Sequence, residues 1–220
     1  MDKISYDTKK YPFREIVQGW FSNISQLTYR GLTDLHYEKQ YDLFDREHDQ
    51  STIWHKCFYD MIRDDLSFDD CYSDFILDVI KPRYGEEVVY QKIPTFRVHL
   101  PNNVSVGEFH KDKHYRDEEW ASKVQELNYF VPLTKAYGTN TIWAETEEDL
   151  GNFQEIRADY GECVEWSASK LTHGNKKNLT SVTRVSFDFR IIPKSRYIES
   201  EHLTINTKIP FGIGGYYEVM

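Results

Sequence analysis

The chain has 220 residues, 40% hydrophobic and 15% aromatic, with a formal net charge of −9 and a pI near 5.4. That excess of acid, without any block of Lys or Arg, disfavours nucleic acid and anionic membrane surfaces as partners, because both are bound through basic patches. The aromatic content supplies enough apolar surface to offset the entropy of ordering the chain, so one globular domain spanning 1–220 is expected.

Residues 1–85 read as a mainly helical support. Phe13, Ile16, Val17, Trp20 and Phe21 recur at three- and four-residue spacing and place one apolar stripe on a short helix. A stronger stripe follows in Ile53, Trp54, Cys57, Phe58, Met61 and Ile62, with Ser51 as its expected N-cap. The acidic stretch Asp64 to Asp70 reads as a solvated loop. Tyr72, Phe75, Ile76, Val79 and Ile80 form a third stripe, closed by Pro82, which lacks an N–H and clashes with a preceding helical turn.

The pattern changes after Gly85. Val88-Val89-Tyr90 and the alternation of Phe96, Val98 and Leu100 begin a series of short strands that continues to Pro193. Short strands without intervening helices predict an antiparallel sandwich, jelly roll or barrel over 86–193. The run Glu145 to Asp149 reads as a solvated loop, and Cys163 and Trp166 as core residues of a strand. The tail 194–220, with its Pro-Phe-Gly-Ile-Gly-Gly-Tyr-Tyr, is expected to wrap the domain as irregular structure; a lid or a homo-oligomer contact is the alternative.

Three cysteines, odd in number and without a C-x-x-C, suit a reducing compartment. The first residues carry no apolar run of the signal-peptide kind, and no stretch approaches 18 apolar residues, so a cytoplasmic location is expected. The sequons at Asn23, Asn103 and Asn178 are then chance occurrences.

The chemistry concentrates between Glu108 and Pro193. His110-Lys-Asp112 alone says little, since such pairs arise by chance and His36-Tyr-Glu38 competes with it. In an expected strand, however, His110 and Asp112 share a face and can reach one ion. If 167–176 and 181–190 form a hairpin turning near Asn178, His173 and Arg184 lie opposite one another. Arg184, Ser186, Asp188 and Arg190 then share a polar face, while Val185, Phe187, Phe189 and Ile191 form an apolar one. Two imidazoles and one carboxylate on one side of ferrous iron leave positions open for the keto acid 2-oxoglutarate and for O2. The distal carboxylate of that co-substrate needs a planar two-donor fork, a role that suits Arg184 with the Ser186 hydroxyl beside it. His114 shares the parity of His110 and is read as solvent-facing or as a support behind the ligands, Arg190 as the partner of an acid. Arg97 and His99 line either the cavity or the surface.

Several motifs in this region occur together: Asn128-Tyr-Phe-Val-Pro-Leu133, Gly138-Thr-Asn-Thr-Ile-Trp143, His173-Gly-Asn175, Arg184-Val-Ser-Phe-Asp-Phe-Arg190 and Phe211-Gly-Ile-Gly-Gly-Tyr-Tyr217. In this combination the chain resembles the Fe(II)/2-oxoglutarate-dependent oxygenases, and within them the streptomycin-biosynthesis-type group of phytanoyl-CoA-hydroxylase-like enzymes. The resemblance implies a double-stranded β-helix (jelly-roll, cupin-like) core. It further implies metal ligands at His110, Asp112 and His173, co-substrate anchoring by Arg184 and Ser186, and a contact from Asn128. Because Asp112 stands where related halogenases carry a small residue, the resemblance implies hydroxylation or another C–H oxidation, and the aminoglycoside and polysaccharide pathways of that group imply a small polar, sugar-derived intermediate as the substrate. A cupin-like sugar isomerase or epimerase and a non-catalytic metal- or 2-oxoglutarate-binding protein are the rival readings.

Overall fold

The computed structural model describes residues 1–24, 30–37, 50, 52–105, 108–115, 118–200, 202–203 and 209–220. Its helical half follows the apolar stripes. Helix α1 (Phe13–Ser22) buries Phe13, Val17, Trp20 and Phe21, and helix α2 (Ile53–Asp64) buries Trp54, Phe58 and Ile62. Thr52 caps α2, its hydroxyl accepting the His55 amide; Ser51, the expected cap, lies outside the described residues, as does Glu38 of the competing His36 pair.

The expected loop at Asp64 to Asp70 does not form. Only Asp65 interrupts, and helix α3 (Leu66–Phe75) starts directly after it. One Asp65 oxygen accepts the Ser67 amide at 2.9 Å and the other accepts the Trp20 indole N–H at 2.7 Å, so the acid is a cap. Fully buried Phe68 draws the segment onto the core, which outweighs the local density of acids. The helix then loosens into a π turn over Ile76–Ile80 and a 3₁₀ turn over Lys81–Arg83 that accommodates Pro82.

The β half comprises β1 (Asp2–Ser5), β2 (Val88–Gln91), β3 (Thr95–His99), β4 (Leu127–Pro132), β5 (Ile142–Glu145), β6 (Phe153–Glu155), β7 (Glu162–Trp166), β8 (His173–Asn175), β9 (Arg184–Pro193) and β10 (Tyr217–Val219). The larger sheet runs β1-β7-β4-β9-β2-β10, with β3 also on β9; the smaller runs β6-β5-β8. All these strand pairings are antiparallel, and the two sheets enclose a polar cavity, giving the double-stranded β-helix that the motifs implied. Helix α4 (Glu118–Val124), which periodicity did not announce, buries Trp120, Ala121 and Val124 against Val89, Ile192 and Tyr217. The tail is less irregular than expected, since β10 adds a strand beside β2. No helix among the described residues is long and apolar enough to cross a membrane.

Strand β9 divides the molecule. Val185, Phe187, Phe189 and Ile191 join α1, α2 and α3 in the main core, whereas Arg184, Ser186, Asp188 and Arg190 line the cavity. The two-faced alternation is therefore as expected, but the hairpin is not. β8 pairs with β5 in the small sheet and β9 with β3 and β4 in the large one, so His173 and Arg184 face the same cavity from opposite sheets. Asn178 crosses between them fully buried, its amide donating to the carbonyls of His99 and Val182, which leaves no room for a glycan there.

Phe187 has no exposed surface and its ring sits 5.0 Å from Phe13 and 5.5 Å from Phe68. Phe187→Ala is expected to cost about 3–5 kcal/mol of unfolding free energy. Urea unfolding should show a lower midpoint at unchanged slope.

Candidate metal centre

His110 and His173 are brought together by a single antiparallel bridge. The His110 amide donates to the His173 carbonyl at 2.8 Å and the His173 amide returns the bond at 2.9 Å, which leaves the two rings 4.4 Å apart. The expected strand through His110 and Asp112 is replaced by this one bridge and a 3₁₀ turn over Asp112–Tyr115. Lys111 is drawn toward Glu148 and Asp149, at 3.4 and 2.5 Å, and the Asp112 amide donates to Ala168 at 2.9 Å. The turn, rather than a shared pleat, delivers Asp112 to the histidines.

Gly174 is what allows the two segments to meet. A Cβ there would lie 2.9 Å from the Phe109 ring and 3.1 Å from its Cα, so any larger residue would push away the backbone next to His110. The acidic run also contributes, contrary to its reading as a loop. Glu145 is 3% exposed and accepts the amides of Gly151 at 2.9 Å and Thr172 at 2.8 Å, fixing the approach to His173.

Ligand atoms of His110, Asp112 and His173 all lie within 4.8 Å of one another, and each imidazole Nε2 is 3.5 Å from Asp112 Oδ1. The Nδ1–H of His110 donates to the Glu108 carbonyl at 2.9 Å and that of His173 to Leu171 at 3.0 Å. A carbonyl only accepts, so both rings carry their proton on Nδ1 and turn the Nε2 lone pair inward. The second carboxylate oxygen of Asp112 is occupied by Arg190 Nη2 at 2.8 Å and Asn128 Nδ2 at 3.3 Å, leaving Oδ1 for a metal. Burial pushes His173 down to about 4, the neutral state that a ligand requires. Burial acts the same way on His110, but the Asp112 carboxylate and the Glu108 carbonyl together outweigh it and raise His110 above its ordinary value. This donor set fits a divalent iron with open coordination positions.

Across the cavity Arg184 is 1% exposed, and among the described residues its charge meets only neutral acceptors: Asn140 O from Nε at 3.0 Å, Ser186 Oγ from Nη1 at 2.6 Å and Ser105 Oγ from Nη2 at 3.2 Å. One N–H on each terminal nitrogen remains, the fork that a carboxylate would take. Burial, then the nearby Arg97, pushes Arg184 down to about 9, so it is a cation at neutral pH. Asn128 lines the cavity between the two groups of residues, and Arg97 lines it too. His99 is buried beneath, between the carbonyls of Asn103 and Asn140. His114 is exposed, and Arg190 pairs with acids, as read. Ser105 and Trp166 were not singled out for the site. Ser105 gives no signal in sequence, whereas Trp166, edge-on to His173 at 4.6 Å, is betrayed only by its register with Asn128.

Two histidines and an aspartate that could hold one metal ion, and a buried arginine on the last long strand, thus line one cavity of a double-stranded β-helix, the arrangement that the motifs implied. The chain is 37% identical over 178 residues to the streptomycin biosynthesis protein StrG of Streptomyces griseus, covering 80% of each, and it belongs to that family. No family model matches. Among solved structures it is similar to the nickel complex of the non-haem monooxygenase ThoJ, at 14% identity, 87% of this chain, 73% of that one and a TM-score of 0.46. It is also similar to EctD from S. alaskensis with 2-oxoglutarate and 5-hydroxyectoine, at 16%, 96%, 76% and 0.42.

Arg190→Met frees the second oxygen of Asp112 and is expected to weaken divalent-metal affinity about 10–100-fold. Gly174→Ala should weaken it by displacing Phe109 and His110. Competition against a fluorescent chelator measures both.

Proposed function

We propose that this protein hydroxylates a C–H bond of a small, polar, sugar-derived biosynthetic intermediate, using Fe(II) held by His110, Asp112 and His173. Ferrous iron with 2-oxoglutarate and O2 supplies the oxidising chemistry, in which one oxygen atom enters the substrate and the other enters succinate as CO2 is released. The observation that carries the reading is Arg184. A buried guanidinium held, among the described residues, only by neutral oxygens, in the cavity that gathers the candidate metal ligands, is matched to an anion that arrives with the reaction.

The residues divide the work. Arg184 grips the distal carboxylate of the co-substrate with its two remaining N–H groups, and Ser186 holds the guanidinium in plane. Arg190 and Asn128 restrain Asp112 so that it offers one oxygen, which keeps positions free for co-substrate and O2. Asn128 thus acts through the metal ligand. Phe130, Ile142 and Trp166 supply the apolar part of the wall and limit water around the reacting carbon. Retention of a carboxylate at Asp112 supports oxygen insertion over halogenation, and the place of StrG in streptomycin biosynthesis supports a sugar-derived substrate.

Anaerobic titration with Fe(II) and 2-oxoglutarate is expected to give a weak visible charge-transfer band that His110→Ala abolishes. Arg184→Gln removes a charged hydrogen-bond donor, and should raise the 2-oxoglutarate needed for half-saturation by about 10–100-fold. Folded, iron-loaded protein that gives no band and forms no succinate would reject this function in favour of an isomerase or a binding protein.

A further inference from the structure

Asn128, Trp166 and Arg190 form one row across three adjacent strands. In the register of the large sheet, Asn128 of β4 is opposite Trp166 of β7 on one side and Arg190 of β9 on the other. Directly opposed residues point to the same face about 4.5–5.5 Å apart. All three line the cavity, beside His173 and Asp112. Each also carries a buried polar atom without a hydrogen-bond partner among the described residues: Trp166 Nε1, Asn128 Oδ1 and Arg190 Nε. An unpaired buried group costs about 1–3 kcal/mol, so three in one row are not explained by packing.

Their orientation follows from their neighbours. The Asp112 carboxylate can only accept, so the Asn128 amide must turn Nδ2 to it and Oδ1 elsewhere. The terminal nitrogens of Arg190 are engaged by Asp112, by Gln91 Oε1 at 3.0 Å and by Tyr216 OH at 3.2 Å, leaving Nε. Trp166 and Asn128 are 5% and 3% exposed, so neither atom is served by bulk solvent.

The row therefore reads donor, acceptor, donor. A carboxylate would oppose the Asn128 oxygen, and an ammonium would oppose both N–H groups. A hydroxyl accepts and donates, and two on neighbouring carbons span the row. We infer that Trp166, Asn128 and Arg190 form a recognition subsite for vicinal hydroxyl groups of a cyclic polyol substrate, set beside the metal ligands. The inference rests on the oxygenase reading, for which this subsite would hold the substrate ring against the iron.

The test uses the full chain loaded anaerobically with Fe(II) and 2-oxoglutarate, whose visible band is read first. Calorimetric titrations with myo-inositol, D-glucose and cyclohexanol follow, on wild type and on Trp166→Phe, which deletes the N–H but keeps an aromatic ring. At least one polyol should bind wild type well ahead of cyclohexanol. Trp166→Phe should bind it about tenfold more weakly with the band retained. If the band is present but neither polyol binds, or cyclohexanol binds as well, the subsite is rejected on wild type alone. Equal polyol affinity in Trp166→Phe rejects it too, whereas absence of the band in wild type rejects the oxygenase reading beneath it.

Discussion

Burial of charge along β9 is the constraint on which the rest of this structure depends. A central strand with helices on one side and a second sheet on the other has no solvent-facing side, yet β9 carries Arg184, Asp188 and Arg190 at alternate positions. Such groups can be kept from water only if each is paired or hydrogen-bonded. Asn140 O, Ser105 and Ser186 serve Arg184, Asp112, Gln91 and Tyr216 serve Arg190, and Asp188 lies between Arg97 and Arg190, with the cavity left between them.

The two arginines are satisfied in different ways, and that difference is the functional signal. Arg190 meets Asp112 at 2.8 Å and Asp188 at 3.6 Å, so its charge is balanced within the protein and orients the Asp112 carboxylate. Arg184 has hydroxyls and a carbonyl for company and no carboxylate within ion-pair distance among the described residues. One arginine is neutralised by the protein's own carboxylates, and the other keeps an unbalanced charge in the cavity among the described residues. Spacing along the strand does not distinguish them.

The three candidate metal ligands show a second division. His110 and His173 are locked by reciprocal backbone bonds, and their tautomers are set by carbonyls of their own segments, so the imidazole pair is determined almost entirely by main chain. Asp112 is held by side chains from β4 and β9. The carboxylate is therefore the group through which the large sheet, and through Arg190 and Tyr216 the C-terminal tail, reach the candidate metal centre.

Much of this was legible in the residues themselves. The two faces of β9 and the helical stripes of Phe13 to Phe21 and Ile53 to Ile62 are periodicities, and periodicity is a local property of the chain. His110, Asp112, His173, Arg184 and Ser186 could be picked out because metal and carboxylate chemistry restricts which side chains can serve, and the structure lines one cavity with all five. Local acidity misled at Asp64 to Asp70 and at Glu145, because burial of Phe68 and the amides of Gly151 and Thr172 are distant or backbone partners. The sequence determined which groups are present and which face each strand shows; only the tertiary structure decided that His173 and Arg184 belong to different sheets, that Asp112 arrives by a turn, and that Trp166, Asn128 and Arg190 share a row. Those are pairings between segments tens of residues apart, set by register and packing across the whole core, and no stretch of sequence encodes them alone.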